Sequence, residues 1–172
     1  MTDQTFEDVL EELYKGEVIG EAFFNRLIER FPDPEDQFKS SCMLQLETEF
    51  KARLRPFLLT HGISLIEQEE WRQVGLNLAD TLNGESWQEV RTQFVGMMDG
   101  FIAGFKEMQS VVLPVYQDLG EFMITHEQSI HDFATLEAAG NTETSIDNVV
   151  EILVNPLPSP NHSGSAKLAR TN

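Results

Sequence analysis

The apolar residues of this chain recur every three or four positions over segments longer than 20 residues, a period that a helix turns into one continuous buried face. From about Thr5 to Phe31, Phe6, Val9, Leu10, Leu13, Phe24, Leu27, Ile28 and Phe31 share a face. "PDP" at 32–34 stops that segment, because proline lacks the N–H a helix interior needs. A second helix is expected from about Glu35 to His61, with Phe38, Cys42, Met43, Leu46, Phe50, Leu54 and Phe57 inward. Pro56 should kink it or end its regular part early, and Gly62 suits a C-terminal stop. A shorter third helix fits Ser64 to Asn83, with Ser64 as N-cap and Glu67 at capping-box spacing. The fourth runs from about Ser86 to Leu113, ahead of Pro114, and the fifth from about Asp118 to Ala139, ahead of Gly140. Ser145 is the expected cap of a last short helix reaching Val154. Residues 155–172, rich in Pro, Ser and Asn, read as a flexible tail.

No strand-like alternation of useful length interrupts this series. The expected class is all-α: a four-helix bundle with a helical crossover connection and a short C-terminal helix, forming one domain over residues 1–154.

Charge narrows the function classes. The net charge is −17, and residues 155–172 hold Lys167, Arg170 and no acid, so residues 1–154 carry −19. Such a body repels phosphate backbones and offers no compact basic patch, which argues against nucleic-acid binding. No apolar run approaches the roughly 18 residues of a membrane span. The acidic start "MTDQTFEDVLEE" is unlike a secretory signal, and the single Cys42 cannot close an internal disulfide, so a reducing cytoplasm is the expected location. Cys42 lies in an apolar stripe and reads as core.

Within the first helix, "LYKGEVIGEAFF" at 13–24 puts two acids where a core is expected. With Leu10 at 0° on a helical wheel, Glu17 falls near about −20°, inside the apolar stripe, and Glu21 near about +20°, at its edge. Burying an unpaired carboxylate costs several kcal/mol, and a like charge one turn away adds to it. A cation, a shared proton or water must compensate. On the second helix Glu47 lies at the stripe margin and Arg53 within the stripe. On the fifth, His126 projects near mid-stripe, Glu127 at its edge, and His131 to the opposite, solvated face. The fourth helix offers no inward acid, since Asp99 and Glu107 fall away from its stripe. "MLQLETEF" at 43–50 and "MITHEQSI" at 123–130 align without gaps, matching Met43 with Met123 and Glu47 with Glu127, as two pseudo-symmetric helix pairs would.

On "GEVIGEAFF", "LQLETEF" and "THEQSIHDF", the chain resembles the ferritin-like superfamily over roughly residues 5–140. Members that bind two metals place a Glu on each of two helices and Glu-x-x-His on each of the other two. The resemblance implies that Glu17 or Glu21 stands for the first-helix acid, and Glu47 and Glu127 for the acids of the paired motifs. The corresponding histidine positions are Phe50 and Ile130 here, and His126 is a replacement nitrogen ligand at a different spacing. Three or four carboxylates with one imidazole suit iron, manganese or magnesium better than copper or structural zinc.

The same residues also fit a reading without metal, in which Arg53 pairs Glu17 or Glu21 and His126 satisfies a remaining oxygen. Two function classes follow. One is a non-enzymatic bundle whose carboxylate-rich core pocket serves packing, a small ligand or a partner. The other is an iron- or manganese-dependent oxidoreductase using Glu17, Glu21, Glu47, Glu127 and His126. Gly96, Gly100 and Gly104, in "GMMDGFIAG", predict close packing against the connection helix or a homodimer partner. Met97, Met98, Met108 and Met123 read as adaptable core filling. No P-loop, dinucleotide fingerprint, HExxH or CxxC occurs.

Overall fold

The computed structural model describes residues 4–160, and six α-helices account for most of them. These are α1 (Phe6–Arg30), α2 (Pro34–Thr60), α3 (Glu69–Thr81), α4 (Trp87–Gln109), α5 (Gln117–Ala138) and α6 (Asp147–Ile152), with a 3-10 turn at Pro114–Tyr116. No strand occurs among the described residues, so the all-α class stands. None of these helices is long and apolar enough to cross a membrane.

Local chemistry fixes most of the ends. Thr5 and Asp8 form a capping box on α1, each side chain accepting from the other's backbone N–H. The Asp33 carboxylate accepts from the N–H groups of Glu35 and Asp36 and starts α2, with Pro34 in its first turn. The "PDP" stretch thus ends one helix and begins the next. Gly62 (φ 72°) and Gly140 (φ 83°) take the left-handed conformation that closes α2 and α5. Beside them the Ile63 N–H reaches the Leu58 carbonyl at 2.8 Å, and the Asn141 N–H reaches Leu136 at 2.9 Å.

Several boundaries differ from expectation. Helix α2 continues through Pro56 to Thr60, because Ala52, whose carbonyl loses its helical partner, faces solvent. Helix α3 starts at Glu69, five residues after the expected cap. Ser64 Oγ instead accepts from the Ile66 N–H, and the Glu67 carboxylate is taken by Lys51 and Arg72. Helix α4 stops at Gln109, before the expected Leu113. Ser145 is not the cap of α6, since its hydroxyl is buried and donates to Glu137 Oε1 at 2.5 Å. Of the expected tail, 161–172 lies outside the described residues. Its beginning is tied down, because the N–H groups of Val154 and Asn155 donate to the Glu49 carboxylate and Leu157 packs on the core.

Two apolar clusters give the direction of every long helix. One gathers Leu27, Phe31, Met43, Leu46, Trp87, Phe94 and Phe133, and the other Leu10, Leu13, Phe50, Leu54, Phe105 and Met123. Helices α1 and α5 therefore run from the second cluster to the first, and α2 and α4 run the opposite way. Helix α3 carries the chain back along α1, from Trp71 beside the second cluster to Ala79 in the first. It lies very close to α1, since a Cβ on Gly75 would sit 2.2 Å from the Ile19 carbonyl oxygen. This is the tight helix crossing of the fold. A Cβ on Gly96, Gly100 or Gly104 meets nothing within 4 Å. The expected packing of those glycines on the connection helix is thus corrected, because that helix lies on α1 and leaves their face of α4 open.

A buried polar hub ties the first cluster together. The Glu137 carboxylate accepts from Lys39 Nζ at 2.8 Å, Trp87 Nε1 at 2.9 Å and Ser145 Oγ, joining α2, α4, α5 and the loop before α6. Lys39 also donates to the Thr142 carbonyl and pairs with Glu35. Glu137→Ala removes the buried partner of the Lys39 ammonium and the acceptor of Trp87 Nε1, leaving Lys39 only Glu35 and the Thr142 carbonyl. Urea denaturation should show a loss of about 3–5 kcal/mol.

Candidate functional site

Between the two apolar clusters lies a single polar layer. Glu17 reaches it from the middle of α1, Glu47 from the middle of α2, and His126 and Glu127 from α5. All four side chains are buried. His126 Nε2 stands 3.9 Å from Glu17 Oε2, 3.7 Å from Glu47 Oε2 and 3.7 Å from Glu127 Oε1. These separations exceed hydrogen-bond reach. Among the described residues, neither nitrogen of His126 nor Glu17 Oε2 has a hydrogen-bond partner. Ligand atoms of Glu17, Glu47 and His126 all lie within 4.8 Å of one another, the spread of donors around one ion.

Glycine makes room for this arrangement. The Glu47 carboxylate occupies the space a Cβ on Gly20 would take, its three atoms lying 2.5–2.8 Å from that position. Any larger residue at 20 moves Glu47.

The electrostatics follow from burial. Burial, followed by the charges of Glu47, Glu127 and Glu21, holds the Glu17 carboxyl well above the usual carboxylate range. Burial and Glu47 push Glu127 up to about 8, against the opposing pull of His126. For His126 burial disfavours the charged ring, yet Glu47 and Glu127 outweigh it and raise the imidazole above its ordinary value. Without a cation, burial therefore favours the protonated forms of Glu17 and Glu127.

The other expected site residues are placed elsewhere. Glu21 points to a neighbouring ion network, where Lys51 Nζ donates to Glu21 Oε2 at 2.5 Å and to Glu67 Oε1 at 2.7 Å. Thr48 Oγ1 donates to the second Glu21 oxygen, and Arg72 pairs with Glu67. The buried cation is therefore Lys51, and the expected pairing of Arg53 with Glu17 or Glu21 is corrected. Arg53 lies on the flank of α2 turned to α5, exposed, with its guanidinium carbon 3.8 Å from the Phe122 ring centroid. Lys51 lies on the flank turned to α1 and is 4% exposed. Its signal was readable, being four residues after Glu47 and seven before Leu58 on one helical face. Gly20 was readable too, as a mid-helix glycine costing about 1 kcal/mol against alanine. His131 is not simply solvated, because its Nε2 lies 2.9 Å from Asp99 Oδ1.

An apolar cavity of about 230 Å³ opens beside the layer, between α1 and α4. Glu47 and Glu127 form its polar end, and Phe23, Phe24, Phe94, Met98 and Phe105 are among its walls. Helix α4 brings no acid to this level, as its sequence predicts, and lines the cavity with aromatic and methionine side chains instead. Cys42 is buried in the first cluster, where burial pushes its thiol up to about 11. No family model, curated protein or solved structure matches this chain.

Lys51 and Arg53 are separable by substitution. Lys51→Met should cost about 3 kcal/mol or more in chemical denaturation, because it leaves Glu21 unpaired at the core margin. Arg53→Met should change stability by less than about 1 kcal/mol, the scale of an exposed cation–ring contact.

Proposed function

We propose that this chain is a ferritin-like helical bundle whose polar layer binds one iron or manganese ion for redox chemistry on a small molecule. One observation carries the reading: a buried imidazole and a buried Glu17 oxygen, without hydrogen-bond partners among the described residues, lie with Glu47 within 4.8 Å of one another, and Glu127 stands 3.7 Å from the imidazole. Unpartnered buried polar atoms are costly, and three helical residues gathered around one centre repay that cost when an ion occupies it. The donor set is rich in oxygen with one nitrogen, which suits iron or manganese. The helix directions support the bundle reading, since α1 and α5 oppose α2 and α4 and α3 forms the crossover between the halves. One-electron chemistry is what such an ion supplies when bound.

The chain's own groups have distinct parts in this proposal. Glu17, Glu47 and His126 hold the ion from three helices, and Gly20 keeps Glu47 aimed inward. Glu127 adds a fourth oxygen or, with its proton retained near neutral pH, donates a hydrogen bond to a molecule in the cavity. The Phe and Met walls give an apolar body a surface to rest on beside that end. Lys51 and Glu21 fix the register of α1 against α2 one turn away.

A non-enzymatic reading is favoured by a specific observation as well. Burial favours protons on Glu17 and Glu127, which lowers the charge enclosed around His126 and makes the layer tolerable without an ion. The two readings part on metal content.

Protein grown with added iron and manganese and purified without a histidine tag should carry about one metal per chain by mass spectrometry. Glu47→Ala and His126→Ala should each weaken Mn(II) binding by about 100-fold or more, with helical content unchanged. A metal-free wild-type chain that does not take up Mn(II) would establish the non-enzymatic reading. Gly20→Ala should weaken Mn(II) binding about tenfold by displacing Glu47, since supporting contacts are worth that much in such sites.

A further inference from the structure

The cavity between α1 and α4 has a composition that selects its occupant. Its walls are aromatic and methionine side chains, its inner end is formed by two acids, and the single cation among its lining residues is Lys15. That cation is spoken for, because Lys15 Nζ lies 3.3 Å from both carboxylate oxygens of Glu12. An anionic head group would meet Glu47 and Glu127 inside, a paired lysine at the mouth and a chain of net charge −17 around it. A neutral molecule meets none of these penalties. Its apolar body contacts Phe23, Phe94, Phe101 and the methionines, while an uncharged hydroxyl donates to a carboxyl oxygen of Glu47 or Glu127.

Size sets the second limit. A cavity of about 150 Å³ holds one benzene, so 230 Å³ holds an apolar molecule of roughly ten carbon atoms. We propose that the α1–α4 cavity binds an uncharged, medium-length apolar molecule of this size, with its polar end at Glu47 and Glu127, and discriminates against carboxylates of the same length. The inference rests on the reading above in taking the polar layer as the reacting end. Binding itself requires only the cavity.

Gly16 supplies a clean test. It lines the cavity on the same face of α1 as Glu12, Ile19, Gly20 and Phe23, and a Cβ there meets nothing within 4 Å. Gly16→Leu therefore fills the cavity from a position that also prefers a side chain for helix stability. Gly96→Leu adds the same group to α4 on an exposed face outside the cavity and serves as the control. Isothermal titration of 1-decanol and of decanoate at neutral pH, on protein without added metal, gives the comparison. The expected result is one 1-decanol per chain, with decanoate at least tenfold weaker. Gly16→Leu should weaken 1-decanol at least tenfold, and Gly96→Leu should leave it unchanged.

Equal or tighter binding of decanoate overturns the charge argument, and unchanged 1-decanol binding in Gly16→Leu overturns the placement. No uptake of 1-decanol, together with a wild-type dimer that Gly16→Leu dissociates on size exclusion, assigns the groove to a second copy and overturns the proposal. Because Mn(II) binding is measured separately, a chain that binds metal without 1-decanol is distinguishable from one that binds 1-decanol without metal.

Discussion

The cost of dehydrating acids governs this fold. Three glutamates and a histidine occupy one level in the middle of an otherwise apolar interior, and their layer divides the core into two clusters. Each carboxylate there must share a proton, face the imidazole or hold an ion, and those are the states in which the layer is stable. The apolar clusters on either side keep water from relieving the penalty. The helices consequently have little freedom of register: a slide of one turn would carry Glu17 or Glu47 into a hydrocarbon neighbourhood, where nothing answers its charge.

Two other buried networks solve the same problem differently. Glu137 is satisfied by three donors and Glu21 by a lysine and a threonine, so each has a protein partner for its oxygens. Both act as fasteners between elements. The central layer lacks that completeness, with both His126 nitrogens and a Glu17 oxygen unpartnered among the described residues. The contrast within one molecule separates groups arranged for each other from groups arranged around a centre, and it gives the central layer its functional interest.

Much of this was legible in the sequence. The 3.6-residue period showed the helices, and wheel positions placed Glu17, Glu47, His126 and Glu127 inward because helix geometry depends on little else. Errors arose where a distant partner decided. Ser64 had the spacing of a cap, but Glu67 was needed by Lys51, so α3 began later. Arg53 and Lys51 lie on opposite flanks of one stripe, and only the positions of α1 and α5 decide which flank is covered. Glu137 was not foreseen, because its donors lie 98, 50 and 8 residues away in the chain. The cavity could not be foreseen at all, being a gap between helices whose separation no local pattern records.

The crossover has a consequence for the order of assembly. Glu17 and Glu47 belong to the α1–α2 hairpin, whereas His126 and Glu127 arrive with α5, after α3 has carried the chain back to the end where α1 finishes. Each hairpin can form from contacts close in sequence, but the polar layer exists only once the two have docked. Until then the acids face water and behave as ordinary surface glutamates. The site is thus the seam of the molecule, complete only when both halves are docked, and the ionisation of its carboxyls records whether they have met.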